Sequence, residues 1–140
     1  LCHEECLYKG SDNKEYKIFG TPYCQEFGHW AFMLPDKELR EKYKDIPEYL
    51  DILITHDQPY DYGDILLQED CPWANGEHIG NKELLRAILD KYPSYHFCGH
   101  LHSCTHDKVI INWLTTHYNV SLKDESYNPV YKPLYLEIDK

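Results

Sequence analysis

Gly99-His100-Leu101-His102 follows directly on the apolar run Tyr95-His96-Phe97-Cys98. A short apolar run bounded by glycine reads as a buried strand. Two histidines two residues apart on extended backbone point to the same side. Gly99 gives the chain freedom to turn sharply where the strand ends. A further histidine, His56, closes a second apolar run, Leu50-Asp51-Ile52-Leu53-Ile54-Thr55. Two strands that each deliver imidazoles at their C-terminal ends predict a metal site on the sheet edge where open α/β folds bind ligands.

The remaining elements are read around those two strands. Tyr16 to Phe19 reads as a strand stopped by Gly20-Thr21-Pro22. A short helix starts at Pro35-Asp36 with Asp36 as N-cap, carries Leu39, Tyr43 and Ile46 on one face, and closes at Pro47. His56 to Ile79 is a long segment rich in Asp, Gly, Pro and aromatics, and loops of that length inside a domain are usually functional. Asn81 caps a second helix with Leu84, Leu85, Ile88, Leu89 and Tyr92 as its apolar stripe, ended by Pro93. Val109 to Trp113 and Thr116 to Val120 read as strands, and Leu134, Leu136 and Ile138 alternate as a half-buried strand near the end. The predicted class is therefore α/β, with a mixed sheet that runs into C-terminal antiparallel strands.

Charge narrows the partners. Fourteen Lys and Arg against 24 Asp and Glu give a formal charge of −10. An acidic surface argues against non-specific nucleic-acid binding and against anionic membranes, both of which need clustered cations. No apolar run approaches the ~20 residues of a membrane span. Six cysteines are present, without a Cys-x-x-Cys pair, so a zinc ribbon is not indicated. Cys2-His3-x-x-Cys6 reads as a short edge strand with incidental thiols, and Cys98 as a small buried side chain. Free thiols suit a reducing compartment, and a cytoplasmic location is expected.

Thr55-His56 with Pro59 three residues on, then Gly99-His100-x-His102, resembles the last two motifs of the calcineurin-like metallophosphoesterases. Phe19-Gly20-Thr21-Pro22-Tyr23, Trp30-Ala31-Phe32 and Glu83-Leu84-Leu85 sharpen the likeness to the small class III cyclic-nucleotide-phosphodiesterase-like (MPPED-like) branch. The resemblance implies a metallophosphoesterase-type α-β-β-α sandwich, of which residues 1–140 would be the C-terminal portion of a single domain. Family members open with Asp-x-His, Gly-Asp and Gly-Asn-His motifs. This chain has no Asp-x-His, and its Gly63-Asp64 and Gly80-Asn81 fall after His56, in the wrong order, with Lys82 where a histidine belongs. Both pairs are read as decoys.

What the resemblance implies about chemistry follows residue by residue. His56 and His100 would bind one divalent ion and His102 the other, with manganese, iron or zinc suited to imidazole and carboxylate donors. Paired cations about 3.5–4 Å apart neutralise a phosphate and supply hydroxide near neutral pH, which phosphoester hydrolysis requires. The substrate would be a phosphoester, by family a phosphodiester, and a nucleotide if aromatics such as Phe27, Trp30, Tyr60, Tyr62 or Trp73 stack a base. Three histidines without a carboxylate do not make a tight two-metal centre, so these residues alone are expected to be inactive. Contact with the N-terminal half of the domain, or with another copy, is expected instead.

Plainer readings stand beside these. The chain could be a truncated or degenerate non-catalytic module that binds metal or partners. A strand-end histidine such as His56 is by itself ordinary, and its motif context is what makes it a ligand candidate. His96 reads as core or as support for the ligands, His106 as a solvated loop histidine ahead of a support for a ligand, and His29, His78 and His117 as structural or surface residues, with His29 and His78 in segments that could line a cleft. Asp57 reads as a loop carboxylate or as a partner of a ligand rather than as a ligand.

Overall fold

The computed structural model describes residues 1–66 and 76–138. Among these the chain forms β1 (Glu4–Lys9), β2 (Glu15–Thr21), β3 (Cys24–Gln25), β4 (Met33–Leu34), α1 (Asp36–Tyr43), β5 (Ile52–Thr55), α2 (Lys82–Lys91), β6 (Tyr95–Cys98), β7 (Val109–Ile111) and β8 (Thr115–Asn119). The main sheet runs β1-β2-β5-β6-β8-β7, and β3 and β4 pair separately in parallel. Strands β2, β5, β6 and β8 are parallel, while β1 and β7 are antiparallel edges. This is a mixed α/β architecture.

The chain moves from β2 to β5 through α1, and from β5 to β6 through α2. Successive crossovers in one direction, each right-handed, put both helices on the same face. Register agrees. Phe19 pairs with Leu53, Leu53 with His96, and His96 with His117, so these residues share that face. Phe19, Leu53 and Ile111 pack there against Leu39 and Tyr43 of α1 and Leu84, Ala87 and Ile88 of α2. The opposite face carries Ile54 and Ile110, each 43% exposed. Tyr95, Phe97 and Tyr118 form a stacked aromatic row on it, with neighbouring centroids 6.4 and 5.9 Å apart.

Helix ends follow local chemistry. Asn81 caps α2, its Oδ1 accepting from the Leu84 N–H at 2.9 Å, and Tyr92 closes the helix in the left-handed conformation just before Pro93. At α1 the expected cap is displaced by one residue. Pro35 holds the cap position without a side-chain bond, and Asp36 is the first helical residue. A proline at the boundary already presets the backbone, and an acidic residue in the first turn favours the helix dipole from inside.

The expected strand over Leu134–Ile138 does not form. The segment has no ladder partner among the described residues. It lies against the open sheet face, where Leu134, Leu136 and Ile138 line a hollow with Phe97, Val120 and Leu122. Tyr16 donates its hydroxyl to the Ile138 carbonyl at 3.1 Å. Alternation records which side of an extended segment is covered, not whether its backbone pairs, and a segment crossing a sheet face has no edge to join.

Candidate metal centre

Parallel strands that share a direction end together. Thr21, Thr55, Cys98 and Asn119 are the last residues of β2, β5, β6 and β8, so His56 and Gly99-His100 leave the sheet at one edge. Their imidazoles meet with ring centroids 4.4 Å apart, and the Gly99 N–H donates to the His56 carbonyl at 3.3 Å. The left-handed residue at this turn is His100, at φ 63°, rather than Gly99. A bulky residue held in that region stores backbone strain of order 1–3 kcal/mol, a feature that clusters at functional sites.

The third histidine is oriented from behind. His102 Nδ1 lies 3.0 Å from the Asp124 carbonyl. A carbonyl only accepts, so the proton sits on Nδ1 and Nε2 keeps its lone pair. Metal-binding histidines are held in this way, by a bond from the other ring nitrogen. Asp124 is fixed by bonds from the Ser126 and Asn128 N–H groups at 2.9 Å each. His106 donates from Nε2 to the His102 carbonyl at 3.1 Å and stacks on Tyr131 at 3.7 Å. It therefore supports His102 and is not the solvated histidine expected from its loop position.

Electrostatics keep two of the imidazoles neutral. Desolvation, and then the neighbouring imidazoles, push His56 and His100 below the ordinary histidine range. A neutral imidazole offers the lone pair a cation needs. Imidazoles with fixed or neutral donor nitrogens are ligands of the kind that divalent transition metals take. Among the described residues no group of three histidine, cysteine or carboxylate side chains converges on one point; His56 and His100 form a pair, with His102 further along the turn.

A cavity of about 550 Å³ adjoins the pair, with His100, Phe27, Asp57, Gln58, His78 and Glu125 among its walls. Phe27 packs on His100 at 5.4 Å, and Trp30 on Phe27 at 5.1 Å. Of the other aromatics singled out, Tyr60 contacts His78 and the Lys82 ammonium, and Tyr62 packs on the main core. Trp73 lies outside the described residues. Asp57 is buried, accepting on Oδ2 from the Gln25 N–H and the Asn81 amide, each at 2.7 Å. It holds the loop after His56 against α2.

The two out-of-order glycine pairs prove to be partners of each other. Asp64 Oδ2 accepts from the Gly80 N–H at 2.8 Å, and Oδ1 binds His78 Nδ1 at 2.6 Å. A Cβ on Gly80 would stand 2.7 Å from the Pro59 carbonyl oxygen, so only glycine fits there. These contacts close the base of the long loop, where His78 and Gly80 also line the cavity. The two stray histidines divide. His29 is exposed, while His117 is buried against His96.

Strand-end imidazoles on the carboxyl edge of a mixed α/β sheet, beside a partly apolar cavity, form a candidate metal-binding site. No family model matches the chain. It is 32% identical over 138 residues to the human "Metallophosphoesterase domain-containing protein 1", covering 95% of this chain and 40% of that protein. It is 35% identical over 115 residues to the "UPF0046 protein T07D4.2" of Caenorhabditis elegans, covering 77% of this chain and 27% of the relative. The chain belongs to this metallophosphoesterase family, and it spans less than half the length of either relative. Among the described residues no helix is long and apolar enough to cross a membrane, and the described cysteines are free thiols.

Proposed function

We propose that this chain is the C-terminal portion of a phosphodiester-hydrolysing domain and supplies His56, His100 and His102 to a two-metal site. The carrying observation is the pairing of the His56 and His100 rings at 4.4 Å beside the cavity. Manganese, iron or zinc suits the imidazole donors. Bound there, such ions supply charge neutralisation and an activated water. This chain's own residues orient and enclose. His56 and His100 present lone pairs, and the Asp124 carbonyl aims His102. Phe27 and Trp30 offer an exposed aromatic platform beside His100 for the organic group of a phosphoester, a nucleobase included.

The reading also gives the open sheet face an occupant. Exposed Ile54 and Ile110, and a hollow of about 370 Å³ lined by Leu1, Pro22, Phe32, Ile54 and His56, suit the remainder of the same domain.

The test is hydrolysis of bis(4-nitrophenyl) phosphate by the intact protein with Mn²⁺. Activity should vanish with a chelator, return with metal, and fall by roughly 100-fold or more in His100→Ala, since loss of even a ligand's supporting partner costs 10–100-fold. Chelator-resistant activity, or an undiminished His100→Ala, would overturn the proposal.

A further inference from the structure

Beneath the carboxyl edge lies a line of buried polar groups that the ligand assignment does not use. His96 and His117 are direct partners on β6 and β8, with Nδ1 facing Nδ1 at 2.9 Å. Both are sealed from solvent, at 0% and 1% exposure. His96 Nε2 lies 2.8 Å from the Thr55 hydroxyl, and that hydroxyl donates to the Asp57 carbonyl at 2.7 Å. Thr55 and Asp57 flank His56.

The protons in this line have one consistent arrangement. Thr55 has a single hydroxyl proton and spends it on the Asp57 carbonyl. His96 must then donate from Nε2, which leaves its Nδ1 as a lone pair. His117 must donate from Nδ1 into that lone pair, because two lone pairs at 2.9 Å would repel. His117 Nε2 is left as an acceptor, and it is one of the buried atoms with no hydrogen-bond partner among the described residues. An orphaned acceptor is better tolerated than an orphaned N–H, so the dead end also favours this direction. Burial pushes both imidazoles well down, His117 to about 4, which keeps the pair neutral at physiological pH.

We propose that His117 and His96 are positioning residues that set the Thr55 hydroxyl on the Asp57 carbonyl and so fix the turn presenting His56. The role rests on the reading of His56 as a metal ligand. Without the His117 donor, His96 Nδ1 loses its partner and the buried ring is no longer held in place. Its Nε2–H bond then sets the Thr55 hydroxyl less firmly on the Asp57 carbonyl, and the His56 turn loosens.

Two measurements on the intact protein test this. Imidazole ¹⁵N NMR should show His96 as the Nε2–H form and His117 as the Nδ1–H form; either reversed tautomer overturns the relay. Zn²⁺ titration should then show His117→Leu binding about 10–100-fold more weakly than wild type. His117→Asn, whose amide places a donor near the Nδ1 position, should bind within a few-fold of wild type. Equal loss in Leu and Asn variants, or no loss in Leu, overturns the positioning role. A His56→Ala titration run alongside separates the two ideas. Undiminished affinity there removes the ligand reading itself. A loss there, without one in His117→Leu, removes only the positioning pair.

Discussion

One amide ties the first turn of α2 to the loop after β5. Asn81 accepts the Leu84 N–H on Oδ1, and from Nδ2 it donates to Asp57 at 2.7 Å and to the Tyr43 hydroxyl at 3.2 Å. Removing it would orphan a helix N–H and leave a buried carboxylate short of a donor. Asn81→Ala should cost about 2–3 kcal/mol, a cap and a charge-assisted bond together, read as a lowered urea midpoint at unchanged slope. The capping half of this role was legible from sequence, because Asn before an apolar stripe is a helix-start signal. The Asp57 half was not, since the two residues are 24 apart in the chain and meet only when β5 and α2 pack. The same holds for His102 and the Asp124 carbonyl, where backbone accepts and no side-chain pattern could announce it.

At the scale of elements, the two helices are clamped by Glu83. Its carboxylate is 6% exposed and takes both Nε and Nη2 of Arg40, at 2.8 Å each, along with Arg86. The two guanidinium groups are more than half exposed, so water takes the place of the lost carboxylate and Glu83→Ala should destabilise by only about 1 kcal/mol. Glu41→Ala, which removes the exposed Lys44 pair, should stay within about 0.5 kcal/mol. Both are read by chemical denaturation. The β6–β8 histidine pair sets an acid limit. Its folded-state values are depressed, His117 to about 4, whereas unfolded imidazoles titrate near 6.5. The unfolded chain therefore binds more protons in that window, and stability falls as the pH drops from about 6.5 toward 4. Denaturation at pH 7 and pH 5 should show the loss, and His117→Asn should reduce the slope.

Periodicity revealed most elements because burial of one face imposes it. Leu53 in β5, the α2 stripe and the β6 run were all readable in this way. It failed at Leu134–Ile138, where the same alternation marks a segment lying on the sheet rather than in it. It also could not say that His96 and His117 are partners. That depends on β8 returning parallel beside β6 with β7 outside it, an order the chain's sequence of elements leaves open.

Across the whole molecule, the helices cover one face of the sheet and the three histidines gather along one edge. The other face keeps Ile54 and Ile110 exposed. With a net charge of −10, the proposed metal ions at this edge would be what draws a phosphate to an otherwise repelling surface. The edge itself was readable from strand-end histidines. The cavity beside it, with Phe27 folded onto His100, required the tertiary structure. The most direct test of the central claim is the metal content of the intact protein and of its His56→Ala, His100→Ala and His102→Ala variants, measured after equilibration with Mn²⁺. The account predicts that the first two lose the same ion and that His102→Ala loses the other. Unchanged metal content in all three variants would contradict it.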